Sequence, residues 1–289
     1  MFGFSVTLYL FIAGMGAGLY IASCLVEREM ERARPPRDMQ LLHQKALIIS
    51  LLLVCAGSAF LILDLTVPQK MYLVFKRPFG SVISFGAWLI ALLTLMLAVR
   101  NGFWRIFATS RSPLIRFLKA ATFLLACGVT LYTGFFLIGL KAISFWESLL
   151  VVALFAISSL SSGIACFSVL AAFSLRRSTT PPVVCKADQV DTFLLAAEII
   201  VLGIFVVSQL FGDAASAASS SRLISGELAW AFWLMLVGIG LLFPFGLSVF
   251  GRANHKLSPL VVKGISACIG CFFLRYCIME AGVRSFSLA

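Results

Sequence analysis

Seven side chains able to carry a proton or a charge lie in or at the ends of long apolar segments of this 289-residue chain: Asp64, Tyr132, Lys141, Asp191, Glu198, Arg275 and Glu280. Ionisable groups are costly in hydrocarbon and concentrate where protons, ions or electrons must be handled. Asp191 and Glu198 are seven residues apart, so a helix carries them on one face. Glu198 is too deep, and its side chain too short, to reach water by snorkelling. Tyr132 lies nine residues before Lys141, more than two turns deeper in the same segment. The bland reading of each charge is a helix-end group that reaches water or pairs with a neighbour. It fits Lys141 and Glu280 better than Glu198.

Other residue types offer less chemistry. The eight cysteines sit at 24, 55, 127, 166, 185, 268, 271 and 277, nearly all within apolar helix. Cys268 and Cys271 form the one close pair, without the four thiolates an iron–sulfur cluster needs. They read as small buried hydrophobes. The two histidines, His43 and His255, fall at segment edges, whereas a bis-histidine haem needs them facing within helices. We therefore expect no haem, cluster, metal site or catalytic residue in this chain. Gly14, Gly16 and Gly18 lie inside an apolar segment with no strand before it, which argues against a dinucleotide fingerprint. Gly14 and Gly18 instead form a small-xxx-small face for close helix packing.

The elements that position these residues are membrane spans. Hydrophobic residues make up 61% of the chain, charged residues 12%, and the mean hydropathy is +1.04, far outside the soluble range. Eight segments reach the roughly 20 apolar residues a spanning helix requires: 4–26, 46–65, 82–99, 114–140, 146–175, 193–211, 228–250 and 260–279. No alternating polarity supports a β-barrel, so the expected fold is all-α and polytopic, forming a single membrane domain over 1–289. Ile21-Ala22-Ser23-Cys24 faintly resembles a cleavage site, but no basic region precedes it, and the first segment reads as a span. The stretch 214–221 reads as a small-residue loop.

Charge then orients the spans. Arg28, Arg32, Arg34, Arg37 and Lys45 follow the first span, and Arg100, Arg105, Arg111, Arg116 and Lys119 follow the third. Arg176, Arg177 and Lys186 follow the fifth, and Arg252, Lys256 and Lys263 the seventh. Sixteen cations thus lie on one side against seven on the other, which places the sixteen in the cytoplasm and both termini outside. The net charge of +11 is a topology signal; spread over four loops, it makes no nucleic-acid site.

Several stretches resemble the NrfD/PsrC family, the membrane subunits of bacterial quinone-linked oxidoreductases such as polysulfide reductase. Residues 8–18, Leu-Tyr-Leu-Phe-Ile-Ala-Gly-Met-Gly-Ala-Gly, are similar to the family's first span. Leu63-Asp64-Leu65-Thr66-Val67-Pro68, Tyr72 and Ser84-Phe85-Gly86-Ala87-Trp88 resemble its Asp-Leu-Gly-Arg-Pro … Ser-x-Gly-Ala-Trp block, with Thr66-Val67 in place of Gly-Arg. Tyr132-Thr133-Gly134, 141–146, Ser159-Leu160-Ser161-Ser162-Gly163 and Leu274-Arg275-Tyr276 match later spans. The first span lacks the histidine or asparagine that contacts quinone in the family, and Tyr9 or Thr7 stands in its place.

The resemblance implies a subunit in the bacterial cytoplasmic membrane that binds a quinone, usually menaquinone, near the outer face. Its electrons pass to a ferredoxin-like subunit with four iron–sulfur clusters, which serves a molybdopterin catalytic subunit. Quinone-binding residues are then Tyr132, Asp64, Tyr9, Lys141 and Arg275, with Tyr132 bonding one quinone oxygen and Asp64 accepting a proton. Beside the resemblance, the buried acids Asp191, Glu198 and Glu280 read as a proton path, with Asp191 and Glu198 its cytoplasmic half; a helix-end pair with structural effect alone is the equal alternative for these two. The redox partners dock on the extracytoplasmic face, over the loops 66–81 and 142–145. Two other readings stand beside this one: a secondary transporter, which lacks the expected pair of interrupted spans because Pro244 stands alone, and an anchor that binds no quinone.

Overall fold

A backbone in hydrocarbon must satisfy its own N–H and C=O groups, and the apolar runs do so as helices. The computed structural model describes residues 4–32, 37–64, 82–109, 112–139, 143–175, 181–250 and 257–282. In order these form α1 (Phe4–Arg32), α2 (Arg37–Asp64), α3 (Val82–Gly102), the short α4 (Trp104–Thr109), α5 (Pro113–Ile138) and a 3-10 turn (Ser144–Trp146). Then come α6 (Leu149–Ser174), α7 (Pro182–Leu210), α8 (Ala214–Ile224), α9 (Ala231–Phe250) and α10 (Leu257–Ala281). Eight of them, all but α4 and α8, are long and apolar enough to cross a membrane. Among the described residues there is no strand, and the protein is an all-α, multi-pass membrane protein.

The helices divide by burial. α1, α5, α6 and α10 are buried over much of their length, while α2, α3, α7 and α9 turn most of their surface outward. Phe193, Ile200, Ile204 and Val207 make the outer stripe of α7, and Asp191, Leu195, Glu198, Leu202 and Phe205 make its inner one. α6 is the central helix, packed on α1, α5, α7 and α10. Its crossing with α1 is a backbone contact: a Cβ on Gly18 would lie 2.1 Å from the Ser159 carbonyl oxygen, and one on Gly163 2.1 Å from Gly18 C. The Gly14/Gly18 face is therefore the packing face, as the spacing indicates.

Three features depart from the sequence reading. α2 and α7 begin at Arg37 and Pro182, well before their apolar runs; in α7 the early polar turns carry Lys186 and Asp188, which pair with Glu29 and Lys263. The small-residue stretch at 214–221 is a helix, with Ser216, Ser219 and Ser220 buried; alanine favours helix, and the small side chains let it pack on α7 and α10. In α9 the segment Ala231–Leu242 winds as a π-helix, and the Phe243 N–H donates to the Gly238 carbonyl. The change of winding falls next to Pro244, which has no N–H to continue an α-helical ladder.

Candidate functional site

At the centre, Arg275 of α10 is fully buried. Its Nη1 donates to Ser158 Oγ at 2.8 Å and the Cys271 carbonyl at 2.9 Å; its Nη2 donates to Ser159 Oγ at 2.7 Å and the Phe155 carbonyl at 3.3 Å. The guanidinium sits between the rings of Phe11 and Phe155, with centroids at 5.8 and 5.3 Å. Gly14 makes this seat, since a Cβ there would lie 2.5 Å from Ser159 Oγ and 3.3 Å from Arg275 Nη2. Sequence placed Arg275 at the edge of its span as a quinone ligand. In the structure four of its N–H donors are engaged by protein, and only Nε lacks a partner.

Glu198 lies beside this arginine, fully buried, with neither carboxylate oxygen hydrogen-bonded. Arg275 and Asp191 act on it electrostatically, and the Ser158 hydroxyl, short of regular hydrogen-bond geometry, is its nearest polar neighbour. Asp191, two turns along the same inner face of α7, accepts from Ser161 Oγ at 2.8 Å and pairs with Lys263 Nζ at 2.9 Å. Lys263 also holds Asp188 at 2.6 Å. Lys263 is therefore a buried ion-pair partner within α10, not the loop cation the charge count took it for. Sequence reasoning missed Ser158, Ser159 and Ser161; their signal is two serine pairs, 158/161 and 159/162, recurring at helical spacing inside the apolar α6.

Toward the end of the bundle away from the cations, Tyr9 of α1 and Tyr132 of α5 meet in the core. Tyr9 is fully buried, and its hydroxyl makes no hydrogen bond of regular geometry; the Tyr132 phenol is the polar side chain nearest to it, within reach of a weak one. The Tyr132 ring lies on the backbone of Gly86, where a Cβ would come within 1.7 Å of Cζ and 2.2 Å of the hydroxyl oxygen. Only glycine leaves room for the phenol there. Thr7, one turn from Phe4, donates to Met279 Sδ at 3.3 Å. Asp64 is the last residue of α2, with its side chain outside the described residues, as is all of Lys141. Glu280, half-buried near the end of α10, forms no ion pair among the described residues and is not joined to Asp191 or Glu198.

A second polar cluster, unforeseen from sequence, occupies the cation-bearing end. Arg100 of α3 is 1% exposed and holds Glu27 of α1 through two contacts, at 2.7 and 2.8 Å, while donating to the Tyr20 hydroxyl. Lys119 of α5 reaches the same carboxylate at 3.0 Å. His43 of α2 is buried beside them rather than set at a loop edge. Arg100 and Lys119 were read as loop charges. A cation neutralised by an acid from another helix looks the same in sequence as a solvated one.

Comparison with known proteins identifies the family. The family model described as "Polysulphide reductase, NrfD" matches residues 1–286. The chain belongs to the NrfD family. Among its relatives, the polysulfide reductase C subunit of Wolinella succinogenes is 27% identical, over 96% of this protein and 92% of the relative. Protein NrfD of Escherichia coli is 26% identical over 96% of this protein and 93% of its own length. The NrfD homolog of Haemophilus influenzae is 24% identical, again over 96% and 93%. Within this NrfD-family protein, the described parts of the stretches that carry the resemblance supply Gly14 and Gly18, the Gly86–Tyr132 seat, Ser159, Ser161 and Ser162 of α6, and Arg275.

Proposed function

We propose that this protein is the quinone-binding subunit of a respiratory oxidoreductase complex in the bacterial cytoplasmic membrane. It exchanges electrons between menaquinol and an iron–sulfur subunit with four clusters, and that subunit serves a molybdopterin catalytic subunit. The observation that carries the reading is the pair of buried phenols, with the Tyr9 hydroxyl making no hydrogen bond of regular geometry and facing Tyr132, which is seated on Gly86. A buried phenol is stable only if its hydroxyl finds a partner. A quinone head offers two carbonyl oxygens, so the pair fits it. Membership of a family whose relatives include a polysulfide reductase subunit supports the same class of reaction.

Quinol oxidation releases two electrons and two protons. Tyr132 and Tyr9 would hold and orient the head by hydrogen bonds while their apolar surroundings, Phe136 and Leu137 among them, exclude water. Asp64, the last residue of α2, would take a proton, and Lys141 belongs to the same proposed site. Arg275 would act by its charge and not by a bond to the head, since Ser158, Ser159 and two carbonyls engage it. Asp191 and Glu198 would carry protons between the cation-bearing end and the core, with Glu280 at the far end. Electrons would leave at the extracytoplasmic face to the iron–sulfur partner.

Tyr132→Phe tests this. It removes one hydrogen bond and keeps the ring on Gly86. In the intact complex, quinol-analogue oxidation should fall about tenfold, the value of one buried hydrogen bond, with the partner subunits still co-purifying. Unchanged turnover would remove Tyr132 from the mechanism. Failure of the wild-type complex to bind any quinone analogue would leave a pure anchor.

A further inference from the structure

A cavity of about 500 Å³ opens between α1, α5, α6 and α7 at the cation-bearing end, well within the size of ligand pockets. α5 and α7 both pack on α6 but make no substantial contact with each other among the described residues, and the cavity fills the gap between them. Arg28, Arg116 and Lys119 stand at one end of it, and Gly18, Leu160 and Ile164 at the other. From Arg28 to Gly18 is about 15 Å along α1, at 1.5 Å per residue. That is half the roughly 30 Å hydrocarbon thickness, the depth of one leaflet.

The walls between these ends are apolar: Ile21, Leu25, Phe123 and Leu194. Phe123 and Val190, which flank the opening, are 36% and 45% exposed, so the cavity opens sideways onto the lipid-facing surface of the bundle. Charge is concentrated at the shallow end. The one carboxylate there, Glu27, is already matched by Arg100 and Lys119. Among the described residues no carboxylate pairs with Arg28 or Arg116. Cations at interface height above an apolar slot one leaflet deep are complementary to a phosphate joined to acyl chains.

We propose that this cavity is a binding site for an anionic phospholipid of the adjoining leaflet, its phosphate held by Arg28, Arg116 and Lys119 and an acyl tail lying against Phe123, Leu160 and Leu194. A quinone fits the site less well, because its head is uncharged and leaves Arg28 and Arg116 without a counter-charge. The bound lipid would fill the gap between α5 and α7 and tie both to α1 beside the Glu27–Arg100 pair. The site is separate from the Tyr9–Tyr132 end and does not depend on the quinone reading.

The test is native mass spectrometry of the full-length protein released from detergent, with phosphatidylglycerol, phosphatidylethanolamine and diacylglycerol offered in turn. Phosphatidylglycerol should be retained best. Each near-surface cation contributes about fivefold to anionic-lipid affinity, so the Arg28→Gln/Arg116→Gln double variant should lower retention roughly twenty-fold. Lys45→Gln, at the same end but outside the cavity, should leave it unchanged. Ala120→Trp, which fills the slot and keeps every charge, should also abolish retention, so the proposal stays testable if the double variant does not purify. Equal retention of the three lipids would overturn it, as would wild-type retention in both cavity variants. Displacement of phosphatidylglycerol by millimolar inorganic phosphate would overturn the lipid in favour of a free-anion site.

Discussion

Glu198 and Arg275 divide the buried charge unequally. The arginine is held by four hydrogen bonds and two aromatic rings, whereas both oxygens of the glutamate lack a hydrogen-bond partner. An ionisable side chain this deep in the bundle, with a buried guanidinium beside it, stands where proton-handling residues concentrate. Glu198→Gln keeps the shape and removes the titration. Assembly should survive, and proton uptake coupled to quinol oxidation should fall about a hundredfold, the lower bound for a positioned proton-transfer group. Uptake at the wild-type rate would make Glu198 a packing residue. The shared face of Asp191 and Glu198 was legible in their spacing, but the partners were not. Lys263 and Arg100 counted as solvated cations because the acids that bury them, Asp191 and Glu27, come from other helices.

At the level of the helices, hydropathy located all eight spans, because a run long enough to cross hydrocarbon has little alternative to helix. It misjudged where α2 and α7 start; in α7 the early polar turns look like loop until Asp188 and Asp191 are seen to meet Lys263. The small-residue stretch 214–221 failed for a related reason: serine and alanine carry no strong periodic signal, and the buried face of α8 arises from packing alone. Glycines supply the sharper element-scale prediction. Gly163→Ala puts a methyl against the Gly18 backbone at the α1–α6 crossing, where neither side can yield, and should cost about 1–3 kcal/mol. Gly203→Ala, with nothing within 4 Å of its Cβ, should be neutral or stabilising by up to about 1 kcal/mol. Thermal unfolding in detergent compares the two, and equal effects would mean that the close crossing contributes nothing.

For the whole molecule, orientation decides what each end does. Eight crossings bring both termini to one side, and the positive-inside bias chooses which. With Arg100, Lys119 and Lys263 set aside as internal ion-pair partners and Arg275 as a buried core group, thirteen cations still face six. The basic end, with the α1–α5–α6–α7 cavity, should therefore lie at the cytoplasmic leaflet, and the Tyr9–Tyr132 end should lie outside. Alkaline phosphatase is active only outside the cytoplasm, so a fusion after Ala289 should be active and a fusion after Phe250, one span earlier, inactive. The reverse pattern would invert the molecule. The phenol pair would then face the cytoplasm, and an extracytoplasmic iron–sulfur partner could no longer dock beside it, so the fusion result bears directly on the electron route as well as on the topology.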